Sequence, residues 1–364
     1  MKEASITAPL NFLIAGLYWS GSGAVVDYLK GHPDCHLPKG EFTDFKRQGR
    51  IGTMLESGSA AQARQLARRI WLETALGKLP AAWWKQRGSD APDSLALKDQ
   101  VFHQRLKLTY LKQYRQQLAR AGHPQDVTPW NQWLQAVGQH IAGDRRAVVW
   151  NQPVWVGMHE HTWPALFEPY RLIVVHRDPE DQFAEVVRQG KIGKRKSDPA
   201  FDDSETDDIA YVLKGIANKY EALAELHRIL PEGRLLSVNF EACVQDHDRQ
   251  ASRICRFLGL RQEQMEGAPF KPHESARNIG IGQAKAIQQT LSSYRPLVER
   301  LRELRWSLPD FPHEKVAPGS GPLQLAVGVQ LTGCRHGLVG LQLVRGIHFQ
   351  PAVIHQAGRH RPAS

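Results

Sequence analysis

The fold is decided by one stretch near the start of the chain, Phe12-Leu13-Ile14-Ala15-Gly16-Leu17-Tyr18-Trp19-Ser20-Gly21-Ser22-Gly23-Ala24. Its apolar first half is typical of a buried strand, and its Gly- and Ser-rich second half predicts a tight turn. The apolar spacing after Ala24 predicts a helix that begins where the turn ends. Such an arrangement gathers backbone N–H groups and the positive end of the helix dipole at one point. We therefore expect a phosphate-bearing ligand at this turn.

Length, charge and composition narrow the class of protein. The chain has 364 residues, 41% of them hydrophobic, which suffices for one large α/β domain or a domain with appendages. Its formal net charge of +10 suits an anionic partner and by itself leaves nucleic acid, an acidic glycan and a nucleotide open. No run approaches the roughly 20 apolar residues of a membrane helix, so we expect no membrane span. Four cysteines without metal-type spacing and no evident signal peptide favour a cytoplasmic protein.

Strands alternate with helices along most of the chain. Further strands are predicted at 147–150, 170–177 and 234–240, and a helical insertion is expected at about 56–142. This alternation favours one parallel sheet with helices on both faces, a three-layer α/β fold with a P-loop-like nucleotide-binding core. In such folds ligands bind beyond the C-terminal ends of the strands, and Arg177 follows one of those ends, as the glycine turn does.

The composition of the chain changes near its end. Residues 1–314 carry the predicted strands and helices and are assigned to the α/β domain. Residues 315–364 are rich in Gly, Val, Leu, Gln and His and show little helical or strand periodicity. We therefore predict a disordered C-terminal tail over 315–364.

Three separated sequence blocks point to one family. The first is the turn Ser20-Gly21-Ser22-Gly23, and the second is the strand end Arg177-Asp178-Pro179-Glu180-Asp181. The third is Val238-Asn239-Phe240-Glu241-Ala242, followed by Phe257-Leu258-Gly259. In this order, over about residues 10 to 300, the blocks resemble those of sulfotransferases that use 3′-phosphoadenosine 5′-phosphosulfate (PAPS). The resemblance implies a sulfotransferase fold and a sulfuryl-transfer reaction that needs no metal.

The resemblance also implies which residues bind PAPS. The implied set is Trp19, Ser20, Gly21, Ser22, Gly23, Ala24, Arg177, Phe240, Arg277 and Gly280. The turn would hold the phosphosulfate, and the Arg177 guanidinium would bind the 3′-phosphate through two parallel hydrogen bonds. Phe240 falls where an aromatic ring stacks on adenine. Arg277 and Gly280 resemble the family's late loop, which closes over the 3′-phosphate.

Two positions depart from the family pattern. Trp19 stands where the family has a lysine or arginine, and an indole cannot stabilise negative charge on the bridging oxygen. Glu185 stands where the family has a serine, and its carboxylate would repel a phosphate unless it points away or pairs with a cation such as Arg188. These departures leave open either a re-engineered site or a loss of activity.

Lys39 and Glu41 are the catalytic candidates. Their sequence, Leu37-Pro38-Lys39-Gly40-Glu41, resembles the Lys-Glu element of the family's glycan-modifying branch. Glu41 would then be the general base for an acceptor hydroxyl, and Lys39 would stabilise the leaving phosphate. Competing bases are His36 and the cluster His159-Glu160-His161, whose spacing is unsuited to zinc.

Sulfuryl transfer from PAPS to a hydroxyl or amine, with a carbohydrate as the acceptor, is the leading functional hypothesis. A nucleotide kinase is the second, but Ser22-Gly23 stands where a P-loop has Lys-Ser/Thr. A non-catalytic PAPS-binding protein is the third, motivated by Trp19 and Glu185. Binding of nucleic acid is suggested by net charge alone, and no recognition module is visible, so we expect no nucleic-acid partner.

Overall fold

A parallel sheet forms the centre of the unit that spans residues 1–317. The computed structural model describes residues 9–38, 40–47, 49–76, 97–121, 126–195, 198–264, 270–309, 329–333 and 339–343. Five strands pair in parallel, β1 (Leu10–Gly16), β2 (Cys35–His36), β3 (Ala147–Asn151), β4 (Tyr170–His176) and β5 (Leu235–Asn239). Their order in the sheet is β2-β3-β1-β4-β5, so the strand of the opening stretch is central.

From Phe12 to Ala15, strand β1 is apolar on both faces because helices cover both sides of the sheet. Leu13 and Ala15 contribute to one hydrophobic core, whereas Phe12 and Ile14 contribute to the other. Alternation of this kind is what a parallel sheet buried on both sides requires. The C-terminal ends of β1, β3 and β4 therefore lie side by side, and the loops that follow them share one edge of the sheet.

Helices pack on both faces of the sheet. The first face carries α1 (Gly23–Leu29), α9 (Phe240–Gln245) and α10 (His247–Leu258). The second face carries α2 (Ile51–Leu55), α3 (Ala60–Ala75), α4 (Leu97–Ala121), α5 (Thr128–Ala142), α6 (Trp163–Phe167), α7 (Pro179–Arg188), α8 (Asp208–Ile229), α12 (Lys285–Ser292) and α13 (Arg295–Trp306). Between the two sets along the chain are α11 (Pro272–Ser275) and the short 3-10 helices Gln262–Gln264, Ala276–Asn278 and Ile281–Gln283. The predicted three-layer α/β fold is confirmed.

Between β2 and β3 the structure describes the helices α3, α4 and α5. They lie in the region where a helical insertion is predicted, and its extent from about 56 to 142 stays a prediction. A buried ion pair ties α4 to the loop before α2. The Lys107 Nζ atom lies 3.0 Å from Asp44 Oδ2, and the two side chains are 1% and 2% exposed. Because separating such a pair would leave a buried charge uncompensated, it fixes how the insertion sits on the domain.

Near the end of the chain the structure describes one antiparallel pair, β6 (Val329–Gly333) and β7 (Val339–Leu343). The rest of the predicted tail lies outside the described residues, so its disorder and the division of the chain at 314/315 stay predictions. No helix in the described ranges is long and apolar enough to cross a membrane.

Candidate active site

The loop after β1 has an unusual backbone. Tyr18 and Trp19 both have positive φ angles, 64° and 54°, a conformation that costs side-chain-bearing residues roughly 1–2 kcal/mol each. Hydrogen bonds hold it in place: Ser20 Oγ accepts the Leu17 N–H at 2.9 Å, and Gln182 Nε2 of α7 donates to the Leu17 and Tyr18 carbonyls. A strained loop that neighbouring groups hold this firmly is typical of a functional site.

Gly21 is required where this loop meets Phe240. Its φ is +85°, and a Cβ atom there would lie 2.4 Å from the Phe240 ring. Phe240 begins α9, directly after β5, and is 4% exposed. Contact between a glycine and an aromatic ring therefore joins the first and third sequence blocks, which are more than 200 residues apart. So small an exposed area favours a packing role for Phe240, and adenine stacking stays a prediction.

Arg177 joins the second block to the same place. It follows β4, is 3% exposed, and places its guanidinium carbon 5.0 Å from the centre of the Phe240 ring. One Nη atom donates to the Asn278 carbonyl, and Nε is buried without a hydrogen-bond partner among the described residues. Burial lowers the pKa of Arg177, and the carboxylates of Asp181 and Glu241 oppose that shift. The site thus offers a buried cation with an unused donor.

These groups line one cavity of about 250 Å³. Six of the residues implied by the resemblance lie in its wall, Trp19, Gly21, Gly23, Ala24, Arg177 and Phe240. The wall is completed by Asp27, Glu185, Arg188, Phe270, Ser275 and Asn278. Asp27 lies one helical turn after Gly23, a spacing that the sequence could have revealed. Asn278 and Phe270 come from a distant part of the chain, and no local sequence pattern marks them as residues of the site.

Ser20 and Ser22 serve the loop rather than the cavity wall. Ser20 is 2% exposed and accepts the Leu17 N–H. The Ser22 hydroxyl accepts a hydrogen bond of 2.5 Å from Nε2 of Gln152, which is the residue directly after β3. Both hydroxyls therefore stabilise the turn whose backbone forms one side of the site, and their contact with PAPS stays a prediction.

A buried network holds Arg177 and Phe240 in position. Asp178, the next residue after Arg177, caps α7 by accepting the N–H groups of Glu180 and Asp181. Glu241, the next residue after Phe240, accepts the Asp178 N–H at 2.7 Å and lies 2.5 Å from Arg305 Nη2. Arg305 also places Nη1 3.4 Å from Asp178 Oδ2. One arginine of α13 thus fixes the residues next to both site residues, a contribution the sequence analysis missed.

The loop that contains Arg277 and Gly280, here called the late loop, is attached to α7 through Asp181. Its two carboxylate oxygens accept the N–H groups of Gly280 and Gly282, each at 2.7 Å. Burial raises the pKa of Asp181 to about 6, the charge of Asp178 adds to the shift, and the two backbone donors oppose it. Arg277 of this loop is exposed and is not part of the described cavity wall, whereas its neighbour Asn278 is. Binding of the 3′-phosphate by Arg277 and Gly280 stays a prediction.

Glu41 lies at the same edge of the sheet. Its neighbour Phe42 donates its N–H to the Asn151 carbonyl at the end of β3, and the following Gln152 binds Ser22. The Glu41 carboxylate is half exposed and forms a 2.8 Å ion pair with Lys46, which is 2% exposed. Burial lowers the pKa of Lys46, and Glu41 opposes that shift. Lys39, the predicted catalytic cation, lies outside the described residues.

Among the competing bases, His159 has a structural role. Its Nδ1 atom lies 2.5 Å from Glu56 Oε2, and its buried Nε2 atom faces the Cα of Gly52, where a Cβ would meet it at 2.8 Å. With both ring nitrogens enclosed, His159 joins α2 to the loop before α6 and has no nitrogen open to an acceptor. His161 is exposed, and His36 Nδ1 lies 3.3 Å from Arg145.

Comparison with known proteins identifies a family. The model of the sulfotransferase family matches residues 11–264. Among solved structures, the sulfotransferase domain from the Synechococcus PCC 7002 olefin synthase is 17% identical, with 83% of this chain and 96% of that chain covered and a TM-score of 0.42. The sulfotransferase from Alicyclobacillus acidocaldarius is 13% identical, with 82% and 96% covered and a TM-score of 0.42. A search of curated proteins finds no match.

Proposed function

The chain belongs to the sulfotransferase family, and we propose on that premise that it transfers a sulfuryl group from PAPS to a hydroxyl or amine, with a carbohydrate as acceptor. The observation that carries the choice of donor is Arg177, a buried arginine in the wall of the cavity beside the glycine turn. PAPS needs two anion sites, one for its phosphosulfate and one for its 3′-phosphate. The turn and Arg177 supply groups suited to each.

In this proposal the phosphosulfate lies against the turn from Trp19 to Ala24, where backbone N–H groups precede α1. Arg177, whose Nε has no hydrogen-bond partner among the described residues, binds the 3′-phosphate through its guanidinium, and the late loop with Arg277 and Gly280 closes over the same group. Phe240 forms the wall of the cavity at the end that the adenine occupies. Trp19 supplies apolar surface but no positive charge, so stabilisation of the leaving phosphate falls to Lys39.

Glu41 is proposed as the general base. Its carboxylate takes the proton of the acceptor hydroxyl while the hydroxyl oxygen forms a bond to sulfur. The bond between sulfur and the bridging phosphate oxygen breaks, and its electron pair leaves with adenosine 3′,5′-bisphosphate. Support comes from the half-exposed carboxylate, which leaves room for an acceptor, and from the ion pair with buried Lys46, which limits its movement.

We also propose that the protein acts in the cytoplasm. Cys35, Cys243 and Cys255 are buried and form no disulfide in the described part of the chain. Burial raises the pKa of the Cys35 thiol to about 12, so this thiol stays protonated at neutral pH. Buried thiols that form no disulfide fit a reducing compartment.

Transfer of labelled sulfur from PAPS to a panel of glycans, phenols and amines tests this function. We expect product with a carbohydrate, and Glu41→Gln should lower kcat by at least about 100-fold, because proton transfer by a positioned side chain contributes about that much. Glu221→Gln, an exposed acid on α8, is the control for charge. A Glu41→Gln enzyme within threefold of wild type would exclude Glu41 as base. PAPS binding without transfer to any acceptor would favour a non-catalytic protein.

A further inference from the structure

Glu185 is the carboxylate nearest to the guanidinium of Arg177 in the cavity wall. Its Oε2 atom lies 2.5 Å from Arg188 Nη2 and 3.8 Å from Arg177 Nη1. Its Oε1 atom accepts a 2.8 Å hydrogen bond from Gln189, and the side chain is 9% exposed. The carboxylate is therefore held in one place and contacts both arginines of the described cavity wall.

We propose that Glu185 determines specificity by competing with the 3′-phosphate of the donor for Arg177 and Arg188. The inference rests on the proposed function, because it assumes that PAPS occupies this cavity. The carboxylate lowers the affinity of the site for the 3′-phosphate end of the donor. The site therefore discriminates less strongly against a nucleotide with a free 3′-hydroxyl than it would without this carboxylate. A carboxylate can accept a hydrogen bond from a ribose hydroxyl. Beside a phosphate it occupies the cations that the phosphate would bind, although its pairing with Arg188 offsets part of its repulsion.

The charges that line the cavity support this inference. The cavity wall contains two acids, Asp27 and Glu185, and two arginines, Arg177 and Arg188, so the formal charges of the wall cancel. A 3′-phosphate brings up to about two further negative charges at neutral pH, since the second pKa of a phosphate monoester is near 6. The phosphate must then share its cations with a carboxylate that cannot leave easily, since Gln189 and Arg188 both bind it.

The opposite role, in which Glu185 orients Arg177 for binding, is less well supported by the contacts. Arg177 is already fixed by its hydrogen bond to the Asn278 carbonyl and by packing on Phe240. Glu185 approaches Arg177 only to 3.8 Å, whereas its contact with Arg188 is 2.5 Å. Removing the Glu185 charge should therefore leave the position of Arg177 intact and free its guanidinium for the phosphate.

Calorimetric titration of the full chain with adenosine 3′,5′-bisphosphate and with AMP tests the inference. Glu185→Gln keeps the size of the side chain and removes its charge, so we expect bisphosphate to bind about 10- to 100-fold more tightly and AMP to change less than about threefold. Glu225→Gln removes an exposed charge on α8 and should alter neither affinity.

Two other results would distinguish failure of the inference about Glu185 from failure of the proposed donor site. Unchanged or weaker bisphosphate binding in Glu185→Gln, with wild-type binding intact, would overturn the inference and leave the donor site standing. If neither nucleotide binds to wild type or to Glu185→Gln, the proposed donor site fails, and the inference fails with it.

Discussion

Arg305 is expected to stabilise the protein far more than an ordinary surface arginine. Its side chain is 8% exposed and lies 2.5 Å from Glu241, whose side chain is 12% exposed. Replacement of Arg305 by Met keeps much of the volume and removes the charge. Glu241 would then keep the Asp178 N–H as a donor and lose its only cation among the ion pairs of the described residues.

The size of the effect follows from this burial. Breaking a buried pair by removing one partner costs about 3–5 kcal/mol, because the remaining charge stays away from water. The longer contact with Asp178, 3.4 Å, adds little, since that side chain is 32% exposed. We therefore expect Arg305→Met to lower the free energy of unfolding by about 3 kcal/mol. Equilibrium urea denaturation measures this change directly.

A matched control lies on the same helix. Arg300 pairs with Glu221 at 2.9 Å, but the two side chains are 55% and 49% exposed, so Arg300→Met should cost less than about 1 kcal/mol. The double variant Arg305→Met/Glu241→Gln should recover part of the loss, since it removes the stranded charge. Equal losses for Arg305→Met and Arg300→Met, or no recovery in the double variant, would refute the role assigned to this buried network.

Two further predictions concern the turn and the late loop. Gly21→Ala should destabilise the protein by about 1–3 kcal/mol and weaken nucleotide binding, because its Cβ would meet Phe240 at 2.4 Å. Gly23→Ala, where a Cβ meets nothing within 4 Å, should change stability by less than about 1 kcal/mol. Equal effects of the two substitutions in denaturation and titration would contradict this prediction. Asp181 has a folded pKa of about 6, above its ordinary 3.8, so its ionisation destabilises the folded state as the pH rises from about 4 to 6. Across that range the free energy of unfolding of Asp181→Asn should rise relative to wild type by about 2–3 kcal/mol, and a difference independent of pH would exclude the shift.

Much of the fold could be predicted from local sequence patterns. The apolar run from Phe12 to Ala15 forms most of the central strand because a strand covered on both faces must be largely apolar on both. Arg177-Asp178-Pro179 ends one strand and begins a helix because Asp178 caps that helix and Pro179 fits its first turn. Interactions of this kind involve adjacent residues, so they can be predicted from the sequence alone.

The support of the site could not be predicted in the same way. Arg305 reaches Glu241 across 64 residues, and Asn278 reaches Arg177 across 101. Neither residue has a neighbour in sequence that reveals its partner, and Arg305 lies beyond the match to the family model, which ends at residue 264. Lys46 was missed because a buried lysine resembles a surface lysine in sequence. Only packing shows that it pairs with Glu41 while it is 2% exposed.

Binding of the 3′-phosphate of PAPS by Arg177 can be measured by calorimetric titration with adenosine 3′,5′-bisphosphate. Arg171→Ala is the control, because Arg171 lies on β4 six positions earlier and binds the Phe257 carbonyl away from the cavity. Loss of a charge-assisted contact is worth about 1.5–3 kcal/mol, so we predict about 10- to 100-fold weaker binding in Arg177→Ala, with Arg171→Ala close to wild type. Equal affinity in wild type and Arg177→Ala would show that Arg177 does not bind the 3′-phosphate.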